Sequence, residues 1–135
     1  MKKGLKKIIA LTMLIGSVAS VNSVAFADTP NYKFNFSAGQ KLSSNPTDKH
    51  DSEQKAYVTI TSTQLCCPGP DTIYYRVRTS TGSMATDVRG KAGTGSITLP
   101  YSILTGQKGA SYKLHGQFDG DAAHPTNRSY GQWNA

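Results

Sequence analysis

A small antiparallel β-sandwich of six or seven strands is the fold this sequence predicts, with a partly open β-barrel as the alternative. Three observations lead there. Apolar and polar residues alternate with period two in segment after segment, and clusters of Gly, Pro, Asn, Asp and Ser separate those segments. No stretch keeps helical periodicity for two turns with caps at both ends.

Ahead of the first strand the chain carries the marks of a secretory signal peptide over residues 1–27. Four lysines lie in Met1–Lys7, the apolar run Ile8–Ile15 follows, and Gly16 and Ser17 weaken its helix. Ala25-Phe26-Ala27 has the small side chains that a signal peptidase needs, which puts the cut between Ala27 and Asp28. A transmembrane anchor is the competing reading, but no run reaches the roughly 18 apolar residues of a spanning helix. Residues 28–135 are therefore expected to form one secreted, extracellular domain. The leader also explains most of the basicity. The whole chain carries 15 Lys and Arg against 8 Asp and Glu, a net charge of +7, and without the leader's four lysines this falls to +3. Such a balance permits attraction to anionic polymers or lipid headgroups without requiring it.

The strands read off in order. Tyr32, Phe34 and Phe36 share one face of the first, and Ala56, Val58 and Ile60 one face of the second. In the third, Ile73, Tyr75 and Val77 point inward while Tyr74, Arg76 and Arg78 point outward. Gly95–Leu99 is a shorter strand ended by Pro100, which has no N–H for a ladder. Tyr112, Leu114, Gly116 and Phe118 then alternate with Lys113, His115 and Gln117, and Tyr130–Trp133 makes a last strand. Met84–Val88 is a further candidate. The polar clusters at 43–48, 68–71, 90–95, 106–109 and 119–121 read as loops.

Cys66 and Cys67 are adjacent, so they supply no disulfide framework. Adjacent Cα atoms lie about 3.8 Å apart, below the roughly 4.4–6.8 Å of ordinary disulfides, so an internal bridge would be strained and easily reduced. Three readings stay open: a vicinal disulfide, a cross-link to a second chain that makes a disulfide-linked dimer, or two ordinary loop residues. His50, His115 and His124 have no paired spacing with the cysteines, which argues against structural zinc. No cofactor is implied.

Enzyme signatures are weak. A Gly-x-Ser-x-Gly elbow is missing, Glu53 is the only glutamate, and neither thiol has a neighbouring base. Asp119-Gly120-Asp121 with Asn127 offers oxygen ligands, but the calcium-loop pattern breaks at its later positions and turn chemistry is the simpler account. The outward strand faces are more informative. If the strands at 73–78 and 112–118 lie side by side, Arg76, Arg78, Lys113 and His115 form a basic stripe flanked by Tyr57 and Tyr74, suited to phosphate, sulfate or sugar groups. The plain alternative is a solvated sheet face. A charge of +3 is a small footprint for nucleic acid.

The lysine-rich leader ending Ala25-Phe26-Ala27-Asp28, the opening Tyr32-x-Phe34-x-Phe36 and the late Tyr112-x-Leu114-x-Gly116-x-Phe118-Asp119 together resemble an uncharacterised group of small exported proteins of Gram-positive bacteria. Some of these accompany bacteriocin-type export or immunity systems, so the resemblance implies a role in antagonism. Three functions follow in order of expectation. The first is a secreted, non-enzymatic binding protein for a cell-surface component, an anionic polymer, a lipid headgroup or another protein. The second is a bacteriocin-like antagonist acting on membranes, and the third a small secreted hydrolase.

Overall fold

Alternation of side chains along an extended backbone sends every second residue to the same face, so each predicted strand has one apolar side to bury. The computed structural model describes residues 29–37, 40–65, 72–119 and 127–135. The expected leader over residues 1–27, the expected cut between Ala27 and Asp28, and the Cys66-Cys67 pair lie outside them.

Nine strands occur among the described residues: β1 (Asn31–Phe36), β2 (Lys41–Ser43), β3 (Thr47–Asp48), β4 (Lys55–Gln64), β5 (Thr72–Thr79), β6 (Arg89–Lys91), β7 (Gly95–Pro100), β8 (Ser111–Asp119) and β9 (Asn127–Asn134). They form two antiparallel sheets. One has the order β1-β9-β4-β7, the other β2-β8-β5-β6 with β3 also on β8. Neither sheet closes into a barrel, and the architecture is all-β, in line with the expected sandwich.

The count exceeds the expected six or seven because β2, β3 and β6 span only three, two and three residues. They arise from segments whose polar composition reads as loop. Met84–Val88 is not a strand. Met84 and Thr86 instead make isolated bridges to Arg78 and Tyr101, and the ladder proper begins at Arg89. Pro100 ends β7 from inside, opposite Lys55, which an edge strand tolerates.

The core lies between the sheets. Tyr32, Phe34 and Phe36 of β1, Ala56, Val58 and Ile60 of β4, Ile73, Tyr75 and Val77 of β5, and Tyr112, Leu114 and Phe118 of β8 are all buried. At the eighth strand's remaining inward position, Gly116 leaves room for aromatic rings: a Cβ there would come within 2.7 Å of Phe34 Cδ2 and 3.0 Å of Phe36 Cζ. A hydroxyl cluster crosses this apolar layer. Ser129 Oγ of β9 lies 3.1 Å from Tyr32 Oη and 2.6 Å from Tyr75 Oη, so one buried serine ties β1 and β9 to β5 in the facing sheet. Burial, the largest influence, pushes both phenols above their ordinary range and keeps their protons in place to donate.

At one end of the sandwich Lys49 is buried. Its ammonium lies 2.5 Å from Asp51 Oδ1, 3.1 Å from Ala135 O and 5.1 Å from the centroid of the Tyr101 ring. Close by, the chain turns between β7 and β8 through Ser102–Thr105, closed by Thr105 N–H donating to Ser102 O at 3.0 Å. Leu104, the third residue of this turn, has φ 70°, the left-handed region where glycine usually sits. A leucine there costs about 1–2 kcal/mol.

Candidate functional site

The outward face of the five-stranded sheet is assembled by register. β5 and β8 are neighbours and pair Tyr74 with Gln117, Arg76 with His115 and Arg78 with Lys113. On the far side of β8, β2 sets Lys41 opposite Gln117 and Ser43 opposite His115. Because outward residues share the pleat, these pairings make three rows: Lys41–Gln117–Tyr74, Ser43–His115–Arg76, and Lys113–Arg78. Strands are about 4.8 Å apart and alternate residues about 6.7 Å apart along each strand. Four cations and a histidine therefore converge on one small patch.

Within it lies a cleft of about 310 Å³ lined by Lys41, Tyr74, Arg76, Arg78, Val88, His115 and Gln117. No carboxylate is part of this lining. Lys49–Asp51 is the only ion pair among the described residues, so Arg76 and Arg78 have no acid partner there. Each guanidinium is nonetheless held. Arg76 Nη1 donates to Met84 Sδ at 2.8 Å and Arg78 Nη1 to Gly82 O at 2.7 Å, both from the connection between β5 and β6. Arg78 Nε is buried with no partner. Most guanidinium donors thus stay available while the heads are oriented, an arrangement that favours charge-assisted hydrogen bonds to an oxyanion.

Tyr74 forms a wall because its cross-strand neighbour is Gly90. A Cβ at Gly90 would come within 2.9 Å of Tyr74 Cε1, so the glycine allows the ring to lie across β6. His115 records the local field. Burial lowers its proton affinity most, and Arg78, Arg76 and Lys41 lower it further. Its Nδ1 lies 3.2 Å from Ser43 Oγ. A serine beside an imidazole has the outline of a nucleophile and base, but hydrolytic sites raise the imidazole's basicity with a carboxylate, whereas three cations suppress it here.

No protein-family model, curated protein or solved structure matches this chain.

Of the residues singled out in the sequence, Tyr74, Arg76, Arg78 and His115 meet in the cleft, and Lys113 sits beside Arg78 at its margin. Tyr57 does not flank the stripe. It belongs to β4 in the other sheet, where its hydroxyl donates to Glu53 Oε1 at 2.5 Å. Cys66 and Cys67 are outside the described residues. Lys41 and Val88 enter the cleft without having been picked out. Lys41-Leu42-Ser43 does alternate polar, apolar, polar, but three residues ahead of an Asn-Pro turn are too few to signal a strand. A second cleft, of about 300 Å³, is lined by Asn31, Tyr32, Lys33, Ser43, Ser44 and Asn45 and holds one cation. Charge therefore selects the first.

Proposed function

We propose that this chain is an exported, non-enzymatic binding protein whose cleft on the five-stranded sheet holds the anionic groups of a cell-surface polymer. The observation that carries the reading is the convergence of Lys41, Arg76, Arg78 and His115 around a cleft with no carboxylate in its lining. Like charges held together on a rigid sheet repel one another, and an anion relieves that repulsion when it binds. Tyr74 adds a ring face for the apolar side of a sugar. The export signal read in residues 1–27 supports a location among such polymers.

His115 makes the reading testable by pH. In the empty cleft its pKa is depressed, so near neutral pH it carries no proton. A bound anion counters the field of Arg78, Arg76 and Lys41 and raises that pKa, so binding takes up a proton. Affinity must then rise as pH falls through the window between the liganded and empty values, by up to about tenfold per pH unit for one proton. The empty fold behaves oppositely: a histidine depressed in the native state loses stability as pH drops below the ordinary value of about 6.5.

Dextran sulfate is the appropriate probe, since sulfate esters keep their charge throughout. Its affinity, measured by calorimetry between about pH 8 and about pH 5, is expected to increase on acidification, and His115→Gln is expected to bind with a flat profile. Binding independent of pH in the unmodified chain would remove His115 from the site.

A further inference from the structure

Tyr57, Met84, Val88, Ile103 and Leu104 are the large apolar side chains left exposed among the described residues, and two of them stand apart. Ile103 is 91 % exposed and Leu104 86 %, side by side at the tip of the β7–β8 turn. A mobile loop would explain such exposure cheaply. This turn is instead stitched down at its base. Ser102 N–H donates to Ala85 O at 2.9 Å, Thr105 Oγ1 donates to Ala85 O at 2.8 Å, and Gln54 Nε2 donates to Gly106 O at 3.1 Å. Gln107 N–H donates to Tyr112 Oη at 2.9 Å. The fold therefore holds Leu104 in a left-handed conformation, φ 70°, while its aliphatic side chain stays in water.

The turn is also tied to the cleft. Ala85, which anchors it, follows Met84, whose sulfur accepts from Arg76, and Val88 further along the same segment lines the cleft. Lys108 is exposed just beyond the turn. Of the acids nearest its base, Asp51 is paired with Lys49, Glu53 accepts from the Tyr57 hydroxyl, and Asp87 is exposed two residues beyond Ala85. A convex tip of two aliphatic side chains, with Lys108 beside it and tied through Ala85–Val88 to a cleft of cations, matches a fluid anionic surface better than a fixed pocket on a folded partner.

We propose that the Ser102–Thr105 turn docks the protein on a lipid bilayer, with Ile103 and Leu104 entering the outer leaflet of a membrane rich in anionic phospholipid. The inference rests on the anion-binding reading of the cleft, which supplies the charge selectivity, while the turn supplies the apolar contact.

The test compares variants in one form, the secreted chain without its leader, because a lysine-rich apolar leader binds anionic vesicles by itself. Cosedimentation with vesicles of equal parts phosphatidylcholine and phosphatidylglycerol is read beside dextran sulfate binding. Ile103→Ser with Leu104→Ser is expected to weaken vesicle binding at least about tenfold and to leave dextran sulfate binding unchanged. Leu104→Gly separates docking from folding: it should weaken vesicle binding and raise the melting temperature by a few degrees, since glycine accepts the backbone angle. Vesicle binding unaffected by the double substitution, or equal on pure phosphatidylcholine, would overturn the inference. Dextran sulfate binding without vesicle binding in the unmodified chain would overturn it and leave the cleft reading standing. Failure to bind either would remove the cleft reading as well.

Discussion

Gly131→Ala is expected to remove most of this chain's folding stability. Gly131 lies near the middle of β9, between β1 and β4, opposite Tyr32 on one side and Ile60 on the other. Here β4 bulges between Ile60 and Ser62, and its backbone swings against β9. A Cβ at Gly131 would lie 2.0 Å from Thr59 O and 3.0 Å from Tyr32 Cε1. The carbonyl cannot rotate aside as a side chain would, so the ladder through β4, β9 and β1 must part. The neighbouring Ser129 cluster, which joins the two sheets, would be disturbed with it. Overpacking a core commonly costs about 1–3 kcal/mol. A backbone collision in a central strand should exceed that range and consume most of the roughly 5–15 kcal/mol that holds a domain together. Urea denaturation followed by Trp133 fluorescence checks this. A variant within about 1 kcal/mol of the parent would mean that the bulge relaxes freely.

The second large effect concerns binding. Replacing Arg76 and Arg78 together with alanine is expected to lower the affinity for dextran sulfate by roughly a hundredfold or more. Each guanidinium offers charge-assisted hydrogen bonds worth about 1.5–3 kcal/mol, and a factor of ten requires about 1.4 kcal/mol. The fold should survive, because both side chains face outward, while the intervening Val77 and the flanking Tyr75 provide the buried contacts. What is lost structurally is one hydrogen bond to Gly82 O and one to the Met84 sulfur, about 0.5–1.5 kcal/mol each at most. Arg128→Ala, an exposed cation on β9 in the other sheet, is the matched control and should bind normally. Equal losses at both places would point to general charge attraction in place of a site.

Much of the fold could be read from the chain because its long strands alternate cleanly. Tyr32-Lys33-Phe34-Asn35-Phe36 buries alternate residues as its pattern requires, and β5 does the same. The candidate site was legible in part for the same reason: period two turned Arg76, Arg78 and His115 outward whatever their neighbours were. Which strands lie together was not legible, since β5 and β8 are separated by β6 and β7 in sequence and register depends on the whole packed sheet. Tyr57 shows the consequence. Its outward direction follows from alternation, yet two sheets have two outer faces and local pattern cannot choose between them. Lys41 was hidden by the brevity of its strand. Lys49 was hidden by its neighbours, because a lysine between Asp48 and His50 reads as solvated surface until Asp51, Tyr101 and Ala135 O close around it. The Leu104 conformation follows from a turn geometry for which the sequence would ordinarily carry glycine.

An anionic ligand is expected to bind in the cleft on the five-stranded sheet. This is tested by titrating isotopically labelled residues 28–135 with a short sulfated oligosaccharide and following the backbone amide resonances. Shifts concentrated on β5, β8 and β2, around Arg76, Arg78, His115 and Lys41, are the predicted result. Shifts confined to the outer face of β1, β9, β4 and β7, or none at millimolar ligand, would contradict it.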